Sequence, residues 1–297
     1  MTIGYNNSDA VTDLVENLNN LDYVADPAIA TSLHLARVLE RPLLIEGRAG
    51  VGKTQIAATM SELLDTELIR LQCYEGLDVN AALYEWNYPK QLLWIRMNER
   101  GNLSPSEMET EIFGRQFLLE RPLLAALTKE KAPVLLIDEV DRADEEFEAF
   151  LLEILSEFQV TIPELGTIKA SNKPLVILTS NRTRDLSDAL RRRCLYLWVD
   201  YPELQKELQI VRKKVEGVSE QLARQVCEFV QATRTEGLGR NPGVSETLDW
   251  TTAMVALHMD YLDPEVVTQT VGTLIKDADD LNNFKKTTIE RIIQSIG

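Results

Sequence analysis

Leu43-Leu44-Ile45-Glu46-Gly47-Arg48-Ala49-Gly50-Val51-Gly52-Lys53-Thr54 is the stretch on which the fold turns. Its second part fits G-x-x-x-x-G-K-[ST] with nothing missing, and its first is a short apolar run of buried-strand type. Glycines let backbone N–H groups wrap a phosphate, and a helix that starts directly after them adds its positive N-terminus. In that geometry Gly47, Ala49, Gly50, Val51 and Gly52 form the cradle. Lys53 reaches the β- and γ-phosphates of a nucleotide such as ATP, and the Thr54 hydroxyl holds Mg²⁺. A glycine-rich turn that matches by chance is the competing reading; the strand before the loop and the helix after it count against that.

Outward from the loop the periodicity alternates. Besides Leu43–Glu46, alternation predicts a strand at Glu67–Cys73, and short apolar runs predict others at Val134–Asp138, Leu175–Ser180 and Leu195–Val199. Helical spacing is read at 9–20, 27–40, 53–64, 116–130 and 144–158. Strands separated by helices imply an α/β fold with a five-stranded parallel sheet covered on both faces. After Asp200-Tyr201-Pro202 the segments 203–215, 219–234, 245–259, 264–276 and 282–295 all read as helices, with no convincing strand among them. The expected division is an α/β nucleotide-binding domain over 1–200, N-terminal helices included, and an all-α domain over 201–297.

Composition bounds the function. The 297 residues carry a net charge of −16, which argues against a general nucleic-acid clamp, since such proteins must neutralise phosphates. No apolar run approaches the ~20 residues that a membrane span needs. The opening MTIGYNNSDA has neither a basic region nor an apolar core, so no leader is expected. Three widely spaced cysteines (Cys73, Cys194, Cys227) suit a reducing compartment and match no metal spacing. Together these point to a cytoplasmic protein.

Two further strand ends carry chemistry. Val134-Leu135-Leu136-Ile137-Asp138-Glu139 is an apolar run that ends in two carboxylates, an expensive arrangement unless they serve something. Downstream of a phosphate loop, Asp138 orients Mg²⁺ through its water shell and Glu139 acts as general base on the attacking water. Acids after a strand are also ordinary helix-capping chemistry. Asn181, which follows Leu175–Ser180, can hydrogen-bond both the γ-phosphate and that water, or simply cap a turn. Thr59 and Asp65 are read as solvated. Arg191-Arg192-Arg193 closes a helix-like segment over 185–190, with Arg182 and Arg184 nearby. Complementing a helix dipole does not need so many. The sharper reading gives Arg193, or Arg192, to a neighbouring subunit's γ-phosphate.

In this order the pieces resemble a AAA+ ATPase. GRAGVGKT is similar to the Walker A motif, VLLIDE to Walker B, ILTSN to the sensor-1 strand and DALRRRC to the arginine-finger segment. LLIDEVDRA, FEAFLLEILSEFQVTI and DLSDALRRRC resemble the MoxR branch, and Pro242-Gly243-Val244-Ser245-Glu246-Thr247-Leu248-Asp249-Trp250 its CoxD-like group. The resemblance spans about residues 25–260. It implies that the helical tail is a lid and that subunits form a ring, usually hexameric. It also implies a von Willebrand factor A-domain partner and a client metalloenzyme that is remodelled or loaded with metal. Residues 74–98, with Tyr74, Tyr84, Trp86, Tyr88 and Trp94, correspond to the insert facing pore or target, although an aromatic stripe is more often core. Residues 159–173 resemble a second hairpin insert. One departure stands out: Gly243-Val244-Ser245-Glu246-Thr247 puts Thr247 where the family carries a lid arginine, and Arg240 is the nearby substitute.

Three functions stay in view: an ATP-driven remodelling chaperone, a nucleotide-gated scaffold that hydrolyses slowly, and a DNA-directed motor, for which no basic stripe outside 182–193 speaks. A metabolic kinase finds no small-substrate site. By segment, residues 138–157 hold nine acids and one arginine, whereas 182–193 hold five arginines and two acids. That asymmetry suits subunits that associate head to tail with nucleotide at the seam, or else merely solvated helix faces.

Overall fold

A computed structural model describes residues 7–98 and 104–296; Met1–Asn6, the first part of the stretch read for a leader, lie outside the described residues. In chain order come α1 (Asn7–Asn20), α2 (Pro27–Leu39), β1 (Leu43–Gly47), α3 (Lys53–Leu63) and β2 (Leu68–Gln72). Next are α4 (Val79–Ala82), β3 (Tyr84–Trp86), α5 (Tyr88–Asn98), α6 (Pro105–Ile112), β4 (Leu118–Glu120) and α7 (Pro122–Thr128). Then follow β5 (Val134–Asp138), α8 (Glu145–Glu157), β6 (Gln159–Ile162), β7 (Gly166–Lys169), β8 (Leu175–Ser180), α9 (Asp188–Arg193) and β9 (Leu195–Val199). The rest is helical: α10 (Leu204–Lys214), α11 (Glu220–Arg234), α12 (Val244–Ala256), α13 (Pro264–Thr270), α14 (Ala278–Asn283) and α15 (Lys286–Ser295).

The five expected strands form one parallel sheet in the order β2-β5-β8-β1-β9. Position in that order explains the sequence of each strand. β5, β8 and β1 lie inside the sheet and are buried at every residue, which is why they read as unbroken apolar runs. The edge strands β2 and β9 alternate between buried and accessible residues instead. Parallel pairing brings the carboxyl ends of β5, β8 and β1 to one edge, where open α/β sheets bind their ligands.

By its contacts the chain divides into two compact units: Ala28–Glu46 with Ala57–Leu197, and Met1–Pro27 with Gly47–Ile56 and Trp198–Gly297. The first holds the sheet and one core of buried side chains, among them Leu135, Ile137, Phe147, Leu151, Val176 and Leu178. The second is mainly helical. One of its cores packs Phe229 against Trp250 at 5.2 Å, with Phe284 edge-on at 6.2 Å. Among the described residues no helix is long and apolar enough to cross a membrane.

Four segments differ from their expected form. Residues 116–130 are not one helix. Leu118–Glu120 pairs antiparallel with Tyr84–Trp86, and Pro122 then opens α7 at a first-turn position, where its missing N–H costs nothing. Arg121, held extended before that proline, ends the strand. Residues 282–295 break at Phe284-Lys285 into α14 and α15, and 264–276 ends in a 3₁₀ turn over Val271–Thr273. The arginines 191–193 belong to α9 itself, which starts later than expected because Ser187 caps it by accepting from the Leu190 N–H. The hairpin over 159–173 is present as β6 paired antiparallel with β7.

Candidate functional site

The glycine loop joins β1 to α3 and is described within the helical unit. Gly50 and Gly52 take φ of +71° and +88°, a region that side chains resist and that bends the loop back on itself. Gly47 is needed for a different reason: a Cβ there would stand 2.0 Å from the Val199 carbonyl oxygen. Gly47→Ala must therefore displace backbone. Its expected cost is about 1–3 kcal/mol by overpacking, read as a lowered urea midpoint. A methyl group on Gly52 would meet nothing within 4 Å, so Gly52→Ala tests backbone strain alone, about 1–2 kcal/mol.

Lys53 folds over the loop, its Nζ donating to the carbonyls of Gly47 (2.9 Å) and Arg48 (2.7 Å). The start of α12 seats against the same turn. The Ser245 N–H donates to the Gly50 carbonyl at 3.2 Å, and a Cβ on Gly243 would meet the Ala49 oxygen at 2.8 Å. Beside Gly50, Val51 and Gly52 opens a cavity of about 270 Å³, walled by Tyr23, Val24, Pro202, Ile210, Val244 and Leu248. Asp22, Asp200, Lys206 and Lys214 also line it, so a mostly apolar slot with charged groups stands beside a glycine turn, which suits a flat base joined to phosphates.

The carboxylates lie in the sheet unit. Asp138 is buried at the end of β5, accepting from the Thr179 hydroxyl and the Arg70 guanidinium, each at 2.5 Å. Glu139 follows in a left-handed conformation, φ +54°, uncommon for a residue with a side chain and shared here with turn residues such as Asp22, Asp65 and His258. Its carboxylate accepts from Gln72 Nε2 (3.1 Å) and Asn181 Nδ2 (3.3 Å) and pairs with Arg142 (3.2 Å). Its own N–H donates to Thr179 Oγ1 at 2.9 Å. Asn181 is steadied in turn by Asp141, whose carboxylate accepts from the N–H groups of Asn181 (3.2 Å) and Thr183 (2.8 Å). So Glu139 and Asn181 do meet. Burial, with Asp138, Asp141 and Glu139 close by, pushes the Cys73 thiol up to about 12, which rules it out as a nucleophile at neutral pH. Among the described residues no three His, Cys, Asp or Glu gather as a metal cage. A buried carboxylate at a strand end, such as Asp138, suits Mg²⁺ that brings its own waters and phosphate ligands.

The five arginines of 182–193 sort themselves. Arg184 pairs with Glu148 at 2.5 Å, and Arg191 with Glu46 at 3.2 Å. Arg182 lies 3.9 Å from Glu46. Arg192 and Arg193 are exposed in the last turn of α9, and neither side chain has a partner among the described residues.

Other expected residues fall elsewhere. Thr59 is buried in α3, a correction to its reading as solvated: it takes a core-facing position of the helix. Of the aromatics in 74–98, Trp86 is buried and Tyr84 and Trp94 pack on the core, while Tyr74 and Tyr88 stay exposed. Thr247 is buried, its hydroxyl donating to Glu207 at 2.7 Å, whereas Arg240 is exposed and its N–H donates to Asp280 at 3.0 Å. Arg70, Gln72, Thr179 and Asp141 escaped the sequence reading. Their only signal is polarity at strand ends, which gains meaning once β2 is known to flank β5 in the register Gln72–Asp138.

Residues 42–194 match the profile of the AAA domain, dynein-related subfamily. The chain is similar to an uncharacterised protein of Staphylococcus epidermidis, 26% identical over 203 residues that span 66% of this chain and 70% of that protein. An uncharacterised Staphylococcus aureus protein is 27% identical over the same shares. Among solved structures, a Cytophaga hutchinsonii protein described as a "putative ATPase" is similar with TM-score 0.46 and 18% identity, over 98% of this chain and 94% of that one. The Thermotoga maritima RuvB Holliday junction branch migration motor is similar with TM-score 0.47 and 19% identity, over 94% and 76%.

Proposed function

This chain belongs to the AAA domain family, dynein-related subfamily, and on that footing we propose that it is a Mg²⁺-dependent ATPase hydrolysing ATP to ADP and phosphate. The observation that carries the reading is Glu139, set in a left-handed turn after a buried strand with Gln72, Asn181 and Arg142 around its carboxylate. Such a carboxylate is oriented to take a proton from water. The N–H groups of Gly47, Ala49, Gly50, Val51 and Gly52 bind phosphate. Lys53 exchanges two carbonyl acceptors for phosphate oxygens, and Thr54 and Asp138 hold the metal, the latter through water. Bound Mg²⁺ neutralises charge on the phosphates. Asn181 orients the water, and Arg193 or Arg192 serves the nucleotide of a neighbouring copy in a ring, in keeping with exposed side chains that have no partner among the described residues.

Work on a client follows from the sequence resemblance: a MoxR-type chaperone, hexameric and cytoplasmic, acting with a von Willebrand factor A-domain protein on a metalloenzyme. The exposed Tyr74 and Tyr88 and the β6–β7 hairpin are its contact candidates. The buried, hydrogen-bonded Thr247 favours one second reading, a scaffold that hydrolyses slowly for want of a lid cation; a steady-state rate far below the single-turnover rate would select it. The decisive assay is Mg²⁺-dependent phosphate release. Lys53→Ala should lower it by at least about 100-fold, as loss of a main phosphate donor does. Unchanged release would refute the site.

A further inference from the structure

The arginine segment is fastened to β1 at both ends of that strand. Just before β1, Arg41 reaches the last turn of α9, where helical carbonyls have no intrahelical partner. Its Nη2 donates to the carbonyls of Arg192 (2.7 Å), Arg193 (2.9 Å) and Cys194 (3.4 Å), and its Nε to Arg193 (3.1 Å). One planar guanidinium thus closes the helix end, with its charge on the favourable end of the dipole. Pro42, next in sequence, accepts from the Leu195 N–H at 2.8 Å. Within β1, Glu46 is fully buried, and a buried carboxylate is costly unless its oxygens are satisfied. Arg191 (3.2 Å), the Tyr196 hydroxyl (3.0 Å) and the Ser180 hydroxyl (3.3 Å) all donate to it, and the Arg182 guanidinium stands 3.9 Å away. Arg191 is therefore turned inward, while Arg192 and Arg193 point away from every described partner.

We propose that Arg41 and Glu46 are positioning residues for the arginines that one copy lends to its neighbour, and that β1 links them to the copy's own nucleotide. This rests on reading Arg192 and Arg193 as acting in trans. β1 passes directly from Glu46 into Gly47, so the segment 41–46 that leads into the phosphate loop carries both fastenings of α9. A shift of β1 on nucleotide exchange is transmitted to the lent arginines by the four carbonyl contacts and the buried carboxylate. In a ring this ties each site to the occupancy of the next.

Mixed rings test it. An acceptor with Arg192→Ala and Arg193→Ala keeps its own loop; a donor with Lys53→Ala cannot turn over ATP yet still lends arginines. Mixing the two should restore ATP hydrolysis that neither shows alone. Adding Arg41→Ala to the donor should cut the restored rate at least about tenfold, the effect of misplacing a charge-stabilising group. Arg41→Lys, a point donor in place of a fork, should fall between, and Glu46→Gln in the donor should also lower it. In otherwise unaltered protein, Arg41→Ala should bind a fluorescent ADP analogue as tightly as the parent and keep its oligomeric size. Full restoration by the Arg41→Ala donor overturns the proposal while leaving the lent arginines intact. No restoration by the Lys53→Ala donor itself overturns the trans reading and this inference together. Weakened ADP binding or a smaller oligomer in Arg41→Ala reduces Arg41 to a structural contact and also overturns it.

Discussion

Glu139→Gln should bind ATP normally and lose about 10²–10⁴-fold in turnover, the range that a positioned general base contributes. The substitution is nearly isosteric. Its one amide oxygen keeps an acceptor for Gln72 or for Asn181, which bond to different carboxylate oxygens of Glu139, and the other contact survives if that neighbour's amide turns over to present its oxygen; the left-handed backbone at 139 makes no demand that glutamine meets less well than glutamate. What disappears is the basic lone pair. The pairing with Arg142 weakens too, but that guanidinium is largely solvated and an exposed pair contributes only about 0–1 kcal/mol. Thermal midpoint and nucleotide affinity should therefore stay near those of the parent while steady-state phosphate release collapses. A variant that hydrolyses at the parental rate would remove Glu139 from the mechanism. One that fails to bind ATP would give it a binding role instead. The variant is also the natural bait for capturing a client, because it should dwell in the ATP-bound state.

Arg234→Ala should destabilise the helical unit by about 3–5 kcal/mol, as the loss of one partner of a buried ion pair does. Arg234 meets Glu207 bidentately, with both contacts at 2.7 Å, and the Glu207 side chain is 0% exposed. Gln231 (2.8 Å) and Thr247 (2.7 Å) complete the shell of that carboxylate. Arg234 also donates from Nε to the Pro242 carbonyl at 2.9 Å and stacks over the Tyr201 ring at 4.6 Å. Truncation strands a buried charge and frees the turn that brings Gly243 and Ser245 to the phosphate loop, so nucleotide affinity should fall along with the urea midpoint. Removing both charges in Arg234→Met, Glu207→Leu should recover most of the loss, since apolar replacement of a buried pair is often close to neutral. Equal destabilisation by the single and double variants would show that packing, rather than the pair, supports this region.

Thr247 belongs to that same network, and this is where the sequence and the tertiary structure part company. From the motif alone Thr247 is a missing arginine; in the fold its hydroxyl donates to Glu207 and to the Gly243 carbonyl from a buried position. The sequence carried no hint of the exchange, because Glu207 and Thr247 are joined only through the packing of α10 on α12. The strands, by contrast, were legible. β5, β8 and β1 are buried on both faces, so their identity is written in unbroken apolar runs that need no partner to be read. The 118–120 strand was not, since three residues have no period of their own and take their form from pairing with 84–86.

The amino-acid sequence by itself determined the five-stranded α/β core, the helical remainder, the glycine loop and the identity of the carboxylates at the end of β5, because each is encoded within a few neighbouring residues. Only the tertiary structure decided which polar groups serve them. It set Gln72, Thr179 and Asn181 around Asp138 and Glu139 through strand order and register. It also divided five arginines that look alike in sequence into three that brace the sheet unit and two that face outward. Local encoding fixes where backbone bends and what is apolar. The partner of a charge is fixed by distance in space, which the linear order does not contain.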